Sequence, residues 1–205
     1  MNNSDMFAIA QRYYDRGDVE KAYRYYLEAA LSDGDGEAMY ALAMMYYEGD
    51  YVHESYDKAG RYFGLAFEND ANIEPWTLII AGSYWENHET DNGDNIINAI
   101  KYYEAAALLG IGYGNECLGK LYYNLGEYDK AFESLEELEG INPCGFYYLG
   151  RLYDEGLGVE QDTAKAIELY KKASEFDDPC FSDDDDSRKA KLRLRELEKQ
   201  GFKVQ

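Results

Sequence analysis

Histidine, cysteine and clustered aspartate side chains are the candidates for catalytic or metal-binding chemistry in this chain of 205 residues. His53 and His88 are its two histidines, and neither lies in the H-x-x-x-H or C-x-x-C spacing that favours a transition-metal site. Cys117, Cys144 and Cys180 are its three cysteines, and no basic partner marks any of them as a catalytic thiol. We therefore expect no catalytic residue, no bound metal and no cofactor.

Acidic clusters occur at 33–36, 91–95 and 183–186, where aspartate alternates with glycine or asparagine or stands in a run. A calcium loop needs the D-x-D-x-D-G register and a closing glutamate, and neither of the first two clusters has it. Turn and helix-cap chemistry is the better interpretation for those two. For 183–186, a solvated helix N-terminus is favoured over weak cation binding.

A ten-residue unit, Lys-Ala-x-x-Tyr-Tyr-x-x-Ala-Ala, recurs along the chain with varying completeness. The alanine at its second position falls at residues 22, 59, 99, 131 and 166, which are 37, 40, 32 and 35 residues apart. Periods in this range are typical of stacked repeat arrays, because each unit is too small to bury its own apolar face. The chain is therefore predicted to be a repeat protein and, before anything else, a binding surface.

A second motif precedes each copy: an apolar residue, then Ala or Gly, then an aromatic residue three positions later. Apolar residues at this spacing form one stripe of a helix, and the small residue lets a second helix approach closely. Each unit is thus predicted to be a helix, a turn and a second helix. The small residues are Ala10, Ala43, Ala81, Gly119 and Gly150, and the aromatic residues, here called the packing tyrosines, are Tyr13, Tyr46, Tyr84, Tyr122 and Tyr153.

These motifs resemble the Sel-like repeat (SLR) family, whose members are close relatives of tetratricopeptide repeats. Residues 37–68 and 75–110 match its pattern loosely, while 6–33 and 113–142 are more similar to tetratricopeptide repeats. The resemblance implies an all-α fold, an α-solenoid of about five helix-turn-helix repeats in a right-handed superhelix. The specific match lies within 145–174, at Leu149, Gly150, Tyr153, Gly156, Gly158, Val159, Asp162, Lys165, Ala166, Tyr170 and Ala173.

One domain over residues 1–205 is expected, since no long linker divides the chain. A charged segment at about 187–201, with Ala190, Leu194 and Leu197 on one face, has the pattern of a terminal capping helix. The predicted repeats span about 6–33, 37–70, 73–110, 113–142 and 144–178.

Acidic residues outnumber basic residues by 41 to 20, which gives a formal net charge of −21. Residues 188–205 hold seven basic and two acidic residues, a net of +5, so residues 1–187 hold 13 basic and 39 acidic residues, a net of −26. Such a surface repels phosphate backbones, and we expect no nucleic-acid partner. It favours association with a basic protein or peptide.

The compartment is predicted from what the sequence lacks. Three scattered cysteines do not make a disulfide framework, and an odd count suits a reducing environment. The first residues have no basic segment followed by an apolar run, and no stretch approaches the ~18–20 apolar residues that span a bilayer. We expect a cytoplasmic protein with no membrane contact, with a monomer as the default state; export without a signal stays open.

The aromatic residues beside the packing tyrosines form the candidate binding site. In successive repeats an aromatic and then an acidic or amide residue follow the packing tyrosine, as in Tyr47 and Glu48, and another aromatic often precedes it by six positions. The SLR resemblance places these first helices on the concave side. Aromatic faces attract cations and carboxylates bind them, so this set suits a basic partner. We call the set the aromatic–acid ladder; it comprises Phe7, Tyr14, Asp15, Tyr40, Met44, Tyr47, Glu48, Trp85, Glu86, Tyr123, Asn124, Tyr147 and Glu155.

Two interpretations of the ladder stay open: an exposed partner groove, or packing between successive first helices. The leading hypothesis is a non-enzymatic interaction module that holds a basic peptide or protein on its concave face. One alternative is an acidic immunity or inhibitor protein that neutralises a basic toxin such as a nuclease. The other alternative, implied by the resemblance, is a hydrolase like the penicillin-binding SLR members. Some secreted SLR members carry one disulfide per repeat, and this chain lacks a cysteine pair in each repeat, which argues against such a hydrolase.

Overall fold

The computed structural model describes residues 4–88, 94–136, 143–175 and 186–204. Within these ranges all regular secondary structure is helical, so the predicted all-α class is confirmed. Predictions for Cys180 and for residues 91–93, 137–142 and 183–185 lie outside them. The helices are α1 Ser4–Asp15, α2 Val19–Asp33, α3 Gly36–Glu48, α4 Tyr56–Glu68, α5 Thr77–Asn87, α6 Asn95–Leu108, α7 Gly112–Leu125, α8 Tyr128–Glu136, α9 Pro143–Glu155, α10 Thr163–Ser174 and α11 Asp186–Lys199.

The second helix of three repeats begins at the same kind of cap. The side chains of Asp18, Ser55 and Asp162 each accept a hydrogen bond from the backbone N–H three residues later, at 3.4, 3.3 and 3.0 Å. Such a cap satisfies one N–H that the helix itself leaves without a partner, and contributes about 1 kcal/mol. The lysine of the repeated unit is the residue whose N–H is capped, so the repeated sequence also marks where the helix starts.

Short turns join the helices of repeats one and four, and both depend on glycine. Gly17 has φ of 77° and Gly126 has φ of 78°, in the left-handed region that other residues enter at a cost. A Cβ on either residue would meet nothing within 4 Å. Backbone conformation, and not crowding, therefore requires glycine at these two turns.

The residues up to Gly110 form one compact unit, which contains the helix pairs α1–α2, α3–α4 and α5–α6. The alanines of the repeated unit, Ala22, Ala59 and Ala99, are fully buried where the two helices of a pair meet. Four residues further on, Tyr26, Phe63 and Tyr103 supply the large buried side chains. The repeat spacing thus alternates a small and a large side chain along one helix face, which packs each pair closely.

The residues from Ile111 onward form a second compact unit, with the pairs α7–α8 and α9–α10 and the final helix α11. Leu135 and Tyr170 fill the positions that Tyr26, Phe63 and Tyr103 fill in the first unit. Helix α11 packs on α9 and α10 and buries Ala190, Leu194 and Leu197, the apolar face expected of a capping helix. The prediction of a single domain over 1–205 stays a prediction.

Close approach between paired helices identifies the small position in each repeat. A Cβ on Gly119 would lie 2.3 Å from the Leu135 side chain, and one on Gly150 would lie 2.9 Å from the ring of Tyr170. In repeat three the residue in this place is Gly82, where a Cβ would lie 2.4 Å from the ring of Tyr103.

The sequence alignment of repeat three, which put Ala81 at the small position, is therefore wrong by one residue. Trp85, and not Tyr84, follows the small residue by three and takes the packing position. Glu86 takes the place directly after it, which the alignment had given to Trp85. The physical reason is that only the residue without a side chain fits against the ring of Tyr103.

Candidate functional site

The packing tyrosines are engaged inside their own repeats. In four repeats the lysine of the repeated unit lies with its Nζ over the ring of the packing tyrosine, an arrangement in which the ring face attracts the cation. Repeat three has Asn98 in place of the lysine. The four ring-to-Nζ distances are 5.2 Å for Lys21 and Tyr13, 4.8 Å for Lys58 and Tyr46, 5.4 Å for Lys130 and Tyr122, and 4.3 Å for Lys165 and Tyr153.

In three repeats, the large buried tyrosine of the second helix donates a hydrogen bond to a polar side chain of the first helix. The hydroxyl of Tyr103 donates to Glu86 Oε2 at 2.7 Å, and the hydroxyl of Tyr170 donates to Asp154 Oδ2 at 3.2 Å. In repeat one, Tyr26 donates to Gln11 Oε1 at 2.9 Å. Phe63 holds this position in repeat two and has no hydroxyl, so the first helix α3 receives no such bond there.

In repeat one, the ladder residue Tyr14 is 37% exposed. Burial and a hydrogen bond to Asp50 raise the pKa of Tyr14, and the charge of Glu48 acts in the same direction. Asp15 is exposed and accepts a hydrogen bond from Gln11 Nε2 at 3.1 Å. Phe7 is half-buried against Tyr26, with ring centroids 5.7 Å apart. The acids of α3 and of the loop after it thus extend the ladder of α1.

Repeat two assembles five aromatic rings, which we call the five-ring cluster: Tyr40, Tyr47, Tyr56, Phe63 and Trp76. Within the cluster, Phe63 is fully buried, Tyr56 is 57% exposed, and Tyr40, Tyr47 and Trp76 are half-buried. Tyr47 is central, with its ring centroid 5.2 Å from Trp76, 5.5 Å from Tyr56 and 6.4 Å from Phe63. Tyr40 lies 5.7 Å from Phe63. Interlocked rings hold one another in place, so this surface is largely preformed.

Carboxylates surround the five-ring cluster, and we call Glu37, Glu48, Glu54 and Glu74 the acidic rim. Burial raises the pKa of Tyr40, and the charges of Glu74, Glu37 and Glu48 act in the same direction. The charge of Glu54 is the main cause of the raised pKa of Tyr56. All four acids are exposed, and within the described residues none of them forms an ion pair. The half-buried Met44 completes this face of α3.

The ladder residues of repeat three are half-buried and bonded within their unit. Trp85 occupies the packing position and hydrogen-bonds the hydroxyl of Tyr102. Glu86 accepts the hydroxyl of Tyr103, as described above. His88, directly after α5, stacks on Tyr84 with ring centroids 4.3 Å apart. Both Trp85 and Glu86 thus have structural roles.

In the second unit, charged side chains of the same unit already contact the ladder residues. Tyr123 is only 8% exposed, and the guanidinium of Arg151 lies over its ring at 4.5 Å. Glu155 accepts hydrogen bonds from Arg151 Nε at 2.8 Å and from the Tyr123 hydroxyl at 3.2 Å. Asn124 is exposed. Tyr147 is half-buried, between Tyr148 and Tyr170 at 5.3 and 5.9 Å.

Helix α11 covers the residue that directly follows the packing tyrosine of repeat five. Asp154 is buried, and Arg193 of α11 donates to both of its oxygens, from Nε at 2.7 Å and from Nη2 at 3.2 Å. The hydroxyl of Tyr170 donates to the same carboxylate. Arg193 also pairs with Glu196 at 3.0 Å. This planar, two-pronged contact fixes the terminal helix on α9.

Both open interpretations of the ladder therefore describe part of it. Tyr123 packs between α7 and α9, whereas Tyr14, Asp15 and Glu48 reach the surface. Trp76, Tyr56 and Glu74 belong to the surface as well, although sequence analysis missed them. Glu74 and Trp76 precede α5 and have no fixed place in the repeat, so the only available signal was the local concentration of aromatic and acidic residues. Tyr56 begins α4 three residues before Ala59, as Tyr128 begins α8 three residues before Ala131, but the repeated unit starts after it and did not include it.

No helix among the described residues combines the length and apolar character needed to cross a bilayer.

Comparison with known proteins identifies relatives of the whole fold. The family model of the Sel1 repeat matches residues 6–33, 36–70, 93–111 and 147–175, more than half of the chain. Among solved structures, the chain is similar to c5321, a protective antigen present in uropathogenic Escherichia coli strains that displays an SLR fold. The two are 21% identical with a TM-score of 0.57, over 97% of this chain and 42% of c5321.

A Sel1 repeat protein from Oxalobacter formigenes is similar to a comparable degree. It is 21% identical with a TM-score of 0.52, over 96% of this chain and 88% of that protein. At this level of identity the likeness shows the fold. The chain spans less than half the length of c5321.

Proposed function

The chain belongs to the Sel1 repeat family, and we propose that it is a non-enzymatic module that binds a basic protein segment on its first-helix face. Sel1 repeat proteins generally mediate protein–protein interaction, and their scaffolds are typically non-catalytic. The observation that carries the proposal is the five-ring cluster with its acidic rim. It combines exposed aromatic surface with carboxylates that have no ion-pair partner in the described residues.

The energetics of this surface favour a cationic partner. An exposed aromatic face attracts a cation with ~0.5–1 kcal/mol, and a carboxylate adds a charge-assisted hydrogen bond. Half-buried aromatic residues held by their neighbours lose little conformational freedom on binding, which makes them good anchors. The formal net charge of −21 adds long-range attraction for a basic partner and repulsion for nucleic acid.

In the first unit the proposed contacts are Phe7, Tyr14, Asp15, Tyr40, Met44, Tyr47 and Glu48, with Trp85 and Glu86 as structural support. In the second unit, the exposed Asn124 is a proposed contact, while Tyr123, Tyr147 and the Arg151-paired Glu155 are proposed as structural support.

A direct test uses fluorescein-labelled peptides of equal length with positive, zero or negative net charge, titrated with the full chain and followed by fluorescence anisotropy. We expect binding of the positive peptide alone. The variant Tyr47→Ala/Glu48→Lys should abolish it, while Glu104→Lys, an exposed change on α6 outside the surface, should weaken it only slightly. Failure of the positive peptide to bind, or full binding by a correctly folded Tyr47→Ala/Glu48→Lys variant, would contradict the proposal.

A second candidate function, inhibition of a basic enzyme such as a nuclease, is favoured by the net charge of −26 over residues 1–187. It predicts that the chain binds folded basic enzymes in preference to basic peptides and lowers their turnover. Binding to a basic nuclease without inhibition would leave only the adaptor function.

A further inference from the structure

We propose that the surface formed by the five-ring cluster and acidic rim binds arginine side chains of the partner, in preference to lysine. This inference rests on the proposed function and narrows the chemistry of its partner. It comes from a difference between the two units: the second unit supplies arginines to its own ladder positions, and the first unit does not.

The first internal example is the site around Tyr123. The guanidinium of Arg151 lies 4.5 Å from the centroid of that ring and donates to Glu155 Oε1 from Nε at 2.8 Å and from Nη2 at 2.7 Å. The same carboxylate accepts the Tyr123 hydroxyl. One planar cation thus satisfies an aromatic face and a carboxylate together, which a guanidinium does better than an ammonium.

The second internal example is Asp154, which occupies the same repeat position as Tyr123. Arg193 donates to both carboxylate oxygens of Asp154, and the aspartate side chain is 6% exposed. Burial of a carboxylate is tolerated here because two arginine nitrogens and the Tyr170 hydroxyl saturate it. In both repeats of the second unit, the residue directly after the packing tyrosine is therefore contacted by an arginine.

The first unit presents the same groups but has no arginine at the place that Arg151 holds. Arg151 directly follows the small residue of its helix, and the residues at that place in the first unit are Gln11, Met44 and Ser83, all uncharged. Within the described residues, no lysine or arginine pairs with Glu37, Glu48 or Glu74. Glu37 Oε1 accepts one hydrogen bond, from the backbone N–H of Asn72 at 2.9 Å. The aromatic faces of α3 and its neighbouring loops, together with Glu48 and Glu74, are therefore available to a guanidinium from outside.

Lysine has a different place in this fold. The repeated lysines lie over the packing tyrosines, at 4.3–5.4 Å from the ring centroids. Among the described residues, one lysine lies over a ladder ring: Lys189 over Tyr147, at the longer distance of 5.9 Å and paired with Asp186. Close contact with a ladder ring is made by arginine alone among the described residues.

The test compares two fluorescein-labelled peptides of identical length, charge and spacing, one with arginine and one with lysine at every basic position. Anisotropy titrations with the full chain should give at least about fivefold tighter binding of the arginine peptide. Glu48→Gln removes the negative charge and should weaken the arginine peptide roughly tenfold, because a charge-assisted hydrogen bond becomes a neutral one. The matched change Glu104→Gln should leave both affinities unchanged.

Equal affinity of the two peptides, or an equal loss for both in Glu48→Gln, would overturn the arginine inference and leave the proposed function standing. If neither peptide binds, the proposed function itself fails. Circular dichroism of each variant confirms that the helical fold is kept, so that any loss reports the surface.

Discussion

Phe63 lacks the hydroxyl that tyrosine supplies at this repeat position, so it donates no hydrogen bond to its first helix. Tyr103 and Tyr170 hold the same repeat position and donate to Glu86 and Asp154, which makes those carboxylates part of the internal packing. Phe63 instead packs against three other rings, those of Tyr40, Tyr47 and Trp76, and uses no hydrogen-bond acceptor. The residue directly after the packing tyrosine in repeat two is Tyr47, which needs no such bond. Glu48, one residue later, forms no ion pair among the described residues and keeps its hydrogen-bonding capacity for a partner.

The buried hydroxyls also predict how stability depends on pH. Burial, with Tyr14 and Asp15 nearby, raises the pKa of Tyr26 to about 12. Because this value lies above the unfolded value of about 10, the contribution of Tyr26 is complete below pH 10 and is lost as the pH rises through 12. Between pH 9 and 12 we expect the native chain to lose roughly 2 kcal/mol of unfolding free energy relative to Tyr26→Phe.

Urea unfolding of both proteins across this range measures the difference. If the unfolding free energies of the native chain and Tyr26→Phe differ by the same amount at every pH up to 12, the raised pKa of Tyr26 is refuted.

The candidate site was only partly predictable at this scale. The repeat phase identified Tyr14, Tyr47 and Glu48, because a helix presents the residue beside a packed position to a different side. It could not show that Tyr123 is buried, since this depends on Arg151 and Glu155 of a later helix. The repeat phase could not predict Trp76 either, because its ring joins the cluster through tertiary contact with Tyr47 and Phe63.

At the scale of the helix pair, the small position controls how closely the helices approach. Gly119→Ala places a Cβ 2.3 Å from the Leu135 side chain, which is 1% exposed and has little room to move. We expect a loss of about 1–3 kcal/mol in unfolding free energy, the usual cost of overpacking. Chemical denaturation gives this value directly.

Gly112 lies at the start of the same helix and provides the matched control. A Cβ there meets nothing within 4 Å, so Gly112→Ala should be neutral or stabilise by up to about 1 kcal/mol through helix propensity. Equal effects of the two substitutions would show that propensity, and not close packing, decides the small position.

The docking of α11 depends on the ion pair between Arg193 and Asp154. Arg193→Ala leaves the buried carboxylate with the Tyr170 hydroxyl alone and should lower the unfolding free energy by about 2 kcal/mol, less than for a fully buried pair because Arg193 is partly exposed. Arg195→Ala removes an exposed arginine from the same helix and should change it by less than about 0.5 kcal/mol. Equal stability of the two variants would contradict this role of Arg193.

The helical elements themselves followed closely from the sequence. Repeated Asp or Ser caps, glycines at the turns and the small–aromatic motif mark where most helices begin, end and touch. The register of repeat three did not follow, because Ala81 and Gly82 both suit the small position by type. Contact with the Tyr103 ring decides in favour of Gly82, and that contact exists only once α5 and α6 are paired.

For the whole molecule, the excess of acidic residues predicts a strong salt dependence of binding. Raising the ionic strength from 0.1 to 1 M shortens the screening length from about 10 Å to about 3 Å and removes most long-range attraction. The association rate of a basic peptide, measured by stopped-flow fluorescence, should fall at least about tenfold, while contacts with the aromatic rings keep part of the affinity. A rate that does not depend on salt would mean that charge plays no part in recognition.

The central claim is that a basic segment binds at the five-ring cluster and acidic rim, and mapping by NMR tests it most directly. An unlabelled arginine peptide is titrated into the uniformly ¹⁵N-labelled full chain, and amide shift changes are followed residue by residue. The account predicts that the largest changes fall within 36–56 and 74–78, and that Glu48→Gln diminishes them. Changes concentrated on the second helices or on residues 111–204, or no changes at all, would contradict it.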